Sequence, residues 1–148
     1  MLSFYSKRFD ELTTEQLYTI LALRAEVFVV EQNCPYQDLD GKDKNALHVL
    51  GYLNGTLTTY ARVLKQGVSY QKYASIGRVV TDSSARGKKY GHELMVYSIG
   101  VCQKYYTGQK IKISAQAHLE KFYKNHGFVA TGESYLEDGI PHIGMLLK

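Results

Sequence analysis

Apolar residues recur along the chain with two different periods, which predict helices and strands in turn. Thr13 opens the first helical segment, because its side chain and that of Gln16 have the spacing of a capping box. Apolar residues at helical intervals follow, among them Leu17 and Ile20. Pro35 disfavours helix at the residue before it, so we expect the helix to end within 32–35.

The rest of the chain consists mostly of strand-like segments. Two of them, 47–53 and 56–64, flank Asn54-Gly55, a dipeptide typical of a tight hairpin. Further strands are predicted at 2–9, 74–81, 110–114, 128–136 and 142–148, and further helices at 90–106 and 118–126. The order β-α-β-β-β-α-β-α-β-β predicts a mixed α/β sheet (α+β), not an alternating parallel one, in a single domain over 1–148.

The loop between the strand at 74–81 and the helix after it is rich in cations and glycine. It contains Arg86, Gly87, Lys88, Lys89 and Gly91. Free amides at a helix start, together with the helix dipole, favour an anion such as a phosphate. A solvated basic loop before an ordinary helix is the alternative. Neither GxxxxGK[ST] nor GxGxxG occurs, so a nucleotide-triphosphate loop and a dinucleotide fingerprint are not expected.

Composition narrows the class of protein further. The net charge of +4 is mild and the basic residues are scattered, so we expect an anionic small ligand and no nucleic-acid partner. There is no signal peptide or membrane-length apolar run, which predicts a soluble, cytoplasmic protein without a membrane partner. Cys34 and Cys102 are expected to be reduced and buried. The segment 38–43, DLDGKD, lacks the spacing of a calcium loop; we interpret it as a solvated turn and expect no metal.

The cationic loop resembles the pyrophosphate loop of the GNAT superfamily of N-acetyltransferases, Arg/Gln-x-x-Gly-x-Gly/Ala, read here from Arg86 to Gly91. It departs from that pattern at Lys89, where the family usually has glycine. The segment FYKNHGF at 122–128 is similar to a second family signature. The stretches VFVVEQNCPYQDLDGKD, IGRVV, SAQAHLEKFY and EDGIPHIGM resemble the ElaA-like branch. This resemblance implies a mixed, mostly antiparallel sheet with a V-shaped split, flanked by helices.

The resemblance also implies acetyl-CoA as cosubstrate, bound in the split. Backbone groups of Val79, Val80 and Thr81 would then hold the pantetheine arm, and Gln116 would contact it. The pyrophosphate would be held by the loop and first helical turn, namely Arg86, Gly87, Lys88, Lys89, Tyr90, Gly91 and His92.

For catalysis, the resemblance assigns Tyr123 to protonation of the departing thiolate and His142 to the role of base. An imidazole suits a base at neutral pH, and Glu31 is the rival. The acceptor pocket would draw on Glu31, Gln32, Tyr36, Arg78 and Ser114. Because an unpaired cation on a central strand is costly, Arg78 either pairs with a carboxylate such as Glu31 or awaits an anionic substrate group.

These inferences predict an acetyl-CoA-dependent N-acetyltransferase that acts on a primary amine of a small molecule by direct attack in a ternary complex. A protein or peptide N-acetyltransferase and a non-catalytic CoA-binding sensor remain as alternatives. The oligomeric state stays open, with a homodimer through an edge strand as one option.

Overall fold

The computed structural model describes residues 1–147 and reproduces the predicted order of elements. The strands are β1 (Ser3–Arg8), β2 (Ala46–Leu53), β3 (Thr56–Leu64), β4 (Ser75–Thr81), β5 (Ile111–Gln116), β6 (Phe128–Glu137) and β7 (Ile140–Leu147). The helices are α1 (Thr14–Arg24), α2 (Tyr90–Tyr105) and α3 (Glu120–Lys124). Four short 3₁₀ turns lie at Phe9–Glu11, Lys42–Asn45, Ser83–Ala85 and Ala117–Leu119.

The strands form two antiparallel sheets that meet at one point. One sheet has the order β1-β2-β3-β4 and the other the order β5-β7-β6. A parallel bridge between Ala74 and Ile111 joins them, with backbone hydrogen bonds from Ala74 to Lys110 (2.8 Å) and from Lys112 to Ala74 (2.9 Å). Beyond this vertex β4 and β5 are not paired, so the V-shaped split of the predicted fold is confirmed.

Two apolar clusters pack against the sheets, one shared by both sheets and one confined to the sheet β1-β2-β3-β4. The larger cluster contains Leu94, Met95 and Val101 of α2 with Ile113 of β5 and Phe128 of β6. The smaller one lies under α1, where Ile20 and Leu23 pack with Tyr60 and Val80. The larger cluster therefore packs the two arms of the split against each other.

The first helix begins as predicted and ends in an unusual way. Thr13 and Gln16 form the expected capping box, with bonds of 3.0 and 2.9 Å. Regular α-helix stops at Arg24, and a seven-residue π-helical stretch, Ala25–Glu31, carries the chain to the predicted end. π-Helical segments are rare in proteins, and those that do occur frequently lie at functional sites.

The third helix is shorter than predicted. It spans Glu120–Lys124 rather than 118–126, because a 3₁₀ turn precedes it and the chain turns at Gly127, whose φ is +93°. The strand after it starts at Phe128 as expected.

A bulge interrupts β4 at the split. Gly77 pairs with Arg62 and Val80 pairs with Tyr60, which leaves Arg78 and Val79 opposite a single residue of β3. The φ of Arg78 is +51°, a left-handed conformation that is uncommon for a residue other than glycine. Bulges leave backbone groups outside the ladder and often lie beside active sites.

Candidate active site

A cleft of about 570 Å³ lies in the split between β4 and β5. The segment 32–42 and the turn between β6 and β7 contribute to its walls. Eight of the residues predicted from the sequence line it: Gln32, Tyr36, Arg78, Val79, Ser114, Gln116, Tyr123 and His142. A volume of this size is typical of small-molecule sites.

The other predicted residues lie outside the lining of this cleft. Val80 is buried against α1, and Thr81 ends β4. Glu31 ends the π-helical stretch, and residues 86–92 form the loop and first turn of α2.

Tyr123 projects from α3 and is held by two aromatic neighbours. Its ring makes edge contacts with Phe122 and Phe128, with centroids 5.1 and 5.9 Å away. The Tyr123 side chain lines the cleft. Its hydroxyl has no hydrogen-bond partner among residues 1–147. Burial raises the pKa of Tyr123 to about 12, so the phenol stays protonated at neutral pH and can donate.

His142 lies on β7, directly opposite Gln116 of β5. Its Nδ1 is 2.7 Å from the carbonyl oxygen of Ile140, which can only accept, so Nδ1 carries the proton. In the neutral ring Nε2 is then the nitrogen with a free lone pair. The nearest carboxylate oxygen, Oε2 of Glu137, is 3.5 Å from Nε2.

A polar chain that the sequence did not predict supports His142. The ring of Tyr135 stacks on His142, and its hydroxyl donates to Oγ of Ser114 at 2.7 Å. Ser114 in turn donates to Oε1 of Glu137 at 3.3 Å. Period-two alternation along β6 puts Tyr135 and Glu137 on one face, so the register of that strand was the signal available.

The predicted phosphate loop has the backbone of an anion site. The first intrahelical bonds of α2 run from the amides of His92 and Glu93 to the carbonyl of Lys89, so the amides of Tyr90 and Gly91 precede them. The side chains of Lys88 and Lys89 are exposed, and no carboxylate of residues 1–147 lies within ion-pair distance of either.

Lys89 turns the chain where the family usually has glycine. Its φ is +64°, in the left-handed region, and it caps the N-terminus of α2. The backbone therefore keeps the turn at the cost of about 1 kcal/mol or more of local strain.

Arg86 links this loop to the end of the first helical element. Its guanidinium makes a bidentate ion pair with Glu31 and donates to the carbonyl of Thr81 at 3.2 and 3.3 Å. Glu31, the rival base, is thus held by an arginine outside the cleft lining.

Two histidines meet beside the same loop. Nδ1 of His92 is 2.9 Å from Nε2 of His126, and both rings pack on Phe122. Partial burial and the neighbouring His92 lower the pKa of His126. His118 is exposed, whereas His126 is half-buried in this pair.

The interpretation of 38–43 as a solvated turn is wrong. Asp38, Asp40 and Asp43 are each bound by arginines, in a network with Arg24, Arg62 and Arg78. The bonds include Arg24 to Asp43 at 2.8 Å and Arg62 to Asp40 at 2.8 Å. The arginines belong to apolar segments, where burial requires a partner for each charge.

Arg78 is paired, but with a carboxylate other than Glu31. Its Nε is 2.7 Å from Asp38, and the ring of Tyr36 lies 5.9 Å from its guanidinium carbon. The hydroxyl of Tyr36 donates to the same carboxylate at 3.0 Å. Burial, the largest influence, raises the pKa of Tyr36 to about 12.

The network also controls the charge of its carboxylates. Burial alone would raise the pKa of Asp43, but hydrogen bonds and charge from Arg24 and Arg62 outweigh it and lower that pKa. The pKa of Asp40 is lowered in the same way by Arg62 against the effect of burial.

The two cysteines are free and buried, as predicted. Burial raises the pKa of the Cys102 thiol to about 11, so the thiol is protonated. None of the helices described above combines the length and apolar composition that a membrane span requires.

Comparison with known proteins places this geometry in a family. Residues 10–148 match the model of a protein family whose description is "Acetyltransferase (GNAT) domain". The chain therefore belongs to the GNAT acetyltransferases and is an acetyl-CoA-dependent N-acetyltransferase.

Within that family the chain is ElaA-like. It is 44% identical over 147 residues to Protein ElaA of Escherichia coli, covering 98% of this chain and 95% of ElaA. The crystal structure of ElaA from the same organism superposes with a TM-score of 0.93 at 43% identity over the whole of both chains. An acyl-CoA N-acyltransferase from Pseudomonas aeruginosa gives the same values.

Proposed function

We propose that this protein transfers the acetyl group of acetyl-CoA to a primary amine of a small molecule, by direct attack while both substrates are bound. The observation that carries the proposal is the meeting of three groups at one cleft. These are the Tyr123 hydroxyl, the free Nε2 of His142 and the bulge at Arg78 and Val79.

The cosubstrate would bind across the open end of the split. Lys88 and Lys89, with the first amides of α2, would meet the pyrophosphate. Val79, Val80 and Thr81 would offer backbone groups to the pantetheine arm, and Gln116 would contact it from β5. This route would bring the acetyl carbonyl to the bulge, where backbone amides outside the ladder stabilise a developing oxyanion.

His142 would act as the base. Nε2 takes a proton from the incoming ammonium, directly or through water, and the amine lone pair then attacks the acetyl carbon. Glu137 attracts the positive charge that the ring acquires. Glu31 is the weaker candidate because Arg86 already holds it.

Tyr123 would complete the reaction. As the carbon–sulfur bond breaks, its hydroxyl donates a hydrogen bond to the sulfur and passes its proton to the thiolate. The new amide nitrogen then loses its extra proton, which restores the Tyr123 phenol, and His142 releases its proton to solvent. The products are the N-acetylated amine and free CoA.

The size and covering of the cleft favour a small acceptor over a peptide. About 570 Å³ suits a molecule of metabolite size, and the segment 32–42 forms part of the wall. Gln32, Tyr36, Arg78 and Ser114 would shape this acceptor side.

The test measures thiol release from acetyl-CoA with a panel of small primary amines. We expect Tyr123→Phe and His142→Gln each to lower kcat about a hundredfold, while acetyl-CoA still raises the melting temperature. Tyr18→Phe and His118→Gln are the matched controls, because both side chains are exposed outside the cleft. Unchanged turnover in Y123F and H142Q would refute the mechanism. Acetyl-CoA stabilisation without turnover of any amine would favour the CoA-binding sensor.

A further inference from the structure

The two ends of the cleft carry opposite charge that the protein itself does not neutralise. The strand register defines the ends. Leu64 pairs with Ser75 beside the vertex of the two sheets, and Gln116 pairs with His142 at the open end.

The vertex end is positive. The three arginines and three aspartates of the buried network balance each other, which leaves Lys42 as the additional charge. Nζ of Lys42 donates to Oγ of Ser69 at 3.0 Å, and no carboxylate of residues 1–147 lies within ion-pair distance of it. Lys42, Ser69 and Ser75 all line the cleft.

The open end is negative. Glu137 and Asp138 lie at the β6–β7 turn and line the cleft, and neither pairs with a lysine or arginine of the described chain. The carboxylate of Glu137 accepts a hydrogen bond from Ser114 and lies near the imidazole of His142. A cationic amine entering here finds both an attractive charge and a base.

We infer that the acceptor is an amine that also carries a carboxylate, with the amine at His142 and the carboxylate bound by Lys42 and Ser69. This inference rests on the proposed acetyl transfer and specifies its substrate class. The substrate carboxylate supplies the anionic partner that Lys42 lacks. The substrate ammonium supplies the cationic partner that Glu137 and Asp138 lack.

The geometry also sets the spacing of the two groups. Arg78 at the bulge lies three positions after Ser75 on β4, which corresponds to roughly 10 Å of strand. The carboxylate is therefore remote from the reacting amine, as in an ω-amino acid, rather than on the adjacent carbon.

The test is a calorimetric titration of protein saturated with CoA, which has no acetyl group to transfer. The probes are ε-aminocaproate and hexylamine, which are similar in length and differ in a terminal carboxylate against a methyl group. We expect wild type to bind ε-aminocaproate at least tenfold more tightly, because a charged hydrogen-bonded pair contributes about that factor. The shorter γ-aminobutyrate should bind more weakly than ε-aminocaproate.

Two variants separate the role of Lys42 from general effects. Lys42→Met should abolish the preference for ε-aminocaproate and leave hexylamine binding unchanged. Lys44→Met, at an exposed lysine of the same 3₁₀ turn outside the cleft lining, should keep the preference.

Equal binding of the two probes to wild type, no binding of either, or an unchanged preference in K42M would overturn the inference. Thiol release tests the proposed function separately. Turnover of hexylamine at the rate of ε-aminocaproate would uphold acetyl transfer while rejecting the carboxylate, and absence of turnover with both would count against acetyl transfer itself.

Discussion

The cations of two regions, the loop before α2 and the network around the segment 38–43, lie in opposite environments. In the loop before α2, Arg86 is exposed and Lys88 and Lys89 have no carboxylate partner in the described chain. In the network around the segment 38–43, Arg24 and Arg62 are buried, and aspartates bind both. The difference separates two uses of positive charge. The exposed lysines remain available to an anionic ligand, whereas the buried arginines hold the segment 38–43 against α1 and the sheet.

The largest effect that tests this contrast is on stability. Arg24→Met leaves Asp38 and Asp43 with fewer partners inside the protein, so we expect a loss of about 3 kcal/mol in the free energy of unfolding. Urea denaturation measures it. A loss below about 1 kcal/mol would mean that the network does not stabilise the fold.

Acid should weaken the same network. The pKa of Asp43 is lower in the folded protein than in the unfolded chain, so its ion pairs stabilise fully above the unfolded value, near 4. That stabilisation is lost as the pH falls through the lower, folded value. The stability difference between wild type and Asp43→Asn should therefore narrow below about pH 4, as urea titrations between pH 3 and pH 7 can show. A difference that widens toward low pH would contradict this assignment.

In the exposed loop before α2, we expect a substitution to change ligand binding more than the free energy of unfolding. Arg86→Met breaks a solvent-exposed ion pair and should change unfolding free energy by less than about 1 kcal/mol. If the loop holds pyrophosphate, the same change should weaken acetyl-CoA binding about tenfold, because a charge-assisted bond contributes roughly 1.5 kcal/mol or more. Calorimetric titration with acetyl-CoA measures this affinity. An affinity equal to that of the wild type would show that Arg86 does not contribute to cosubstrate binding.

The smallest effect concerns the strained cap of α2. Lys89→Gly should relieve the left-handed backbone and raise stability by about 0.5 kcal/mol, after the added entropy of the unfolded chain is subtracted. Lys88→Gly is the matched control and should lower stability, because φ of Lys88 is not positive. Thermal unfolding of both variants gives the comparison, and a less stable K89G would show that the lysine side chain contributes more than the strain costs.

The sequence predicted the fold through local signals that the structure obeys. The Thr13–Gln16 box begins α1, and Asn54-Gly55 adopts the positive φ angles of the hairpin turn, +52° and +80°. The cation-rich loop precedes α2, whose first residue is Tyr90 as predicted. These features depend on neighbours in sequence, which is why the sequence reveals them.

The features that the sequence did not predict depend on contacts between residues that are distant in the chain. Asp40 pairs with Arg62 and Asp38 with Arg78, across 22 and 40 positions respectively. Arg24 and Arg62 lie inside apolar segments, so they did signal buried partners, and three aspartates in one polar loop were available. Glu137 reaches His142 only because β6 and β7 pair in one particular register. Which partners meet is set by the topology and cannot be obtained from spacing alone.

Backbone hydrogen bonds at Ala74 join the two sheets at the vertex of the split. Two backbone hydrogen bonds there connect arms that are unpaired further along β4 and β5. Amides on the free edges, such as those near Val79 and Gln116, have no strand across the split to protect them from exchange with solvent. A ligand that hydrogen-bonds to both edges takes the place of the absent strand. Hydrogen exchange would register such a ligand as slowing along both edges, with little change at the vertex.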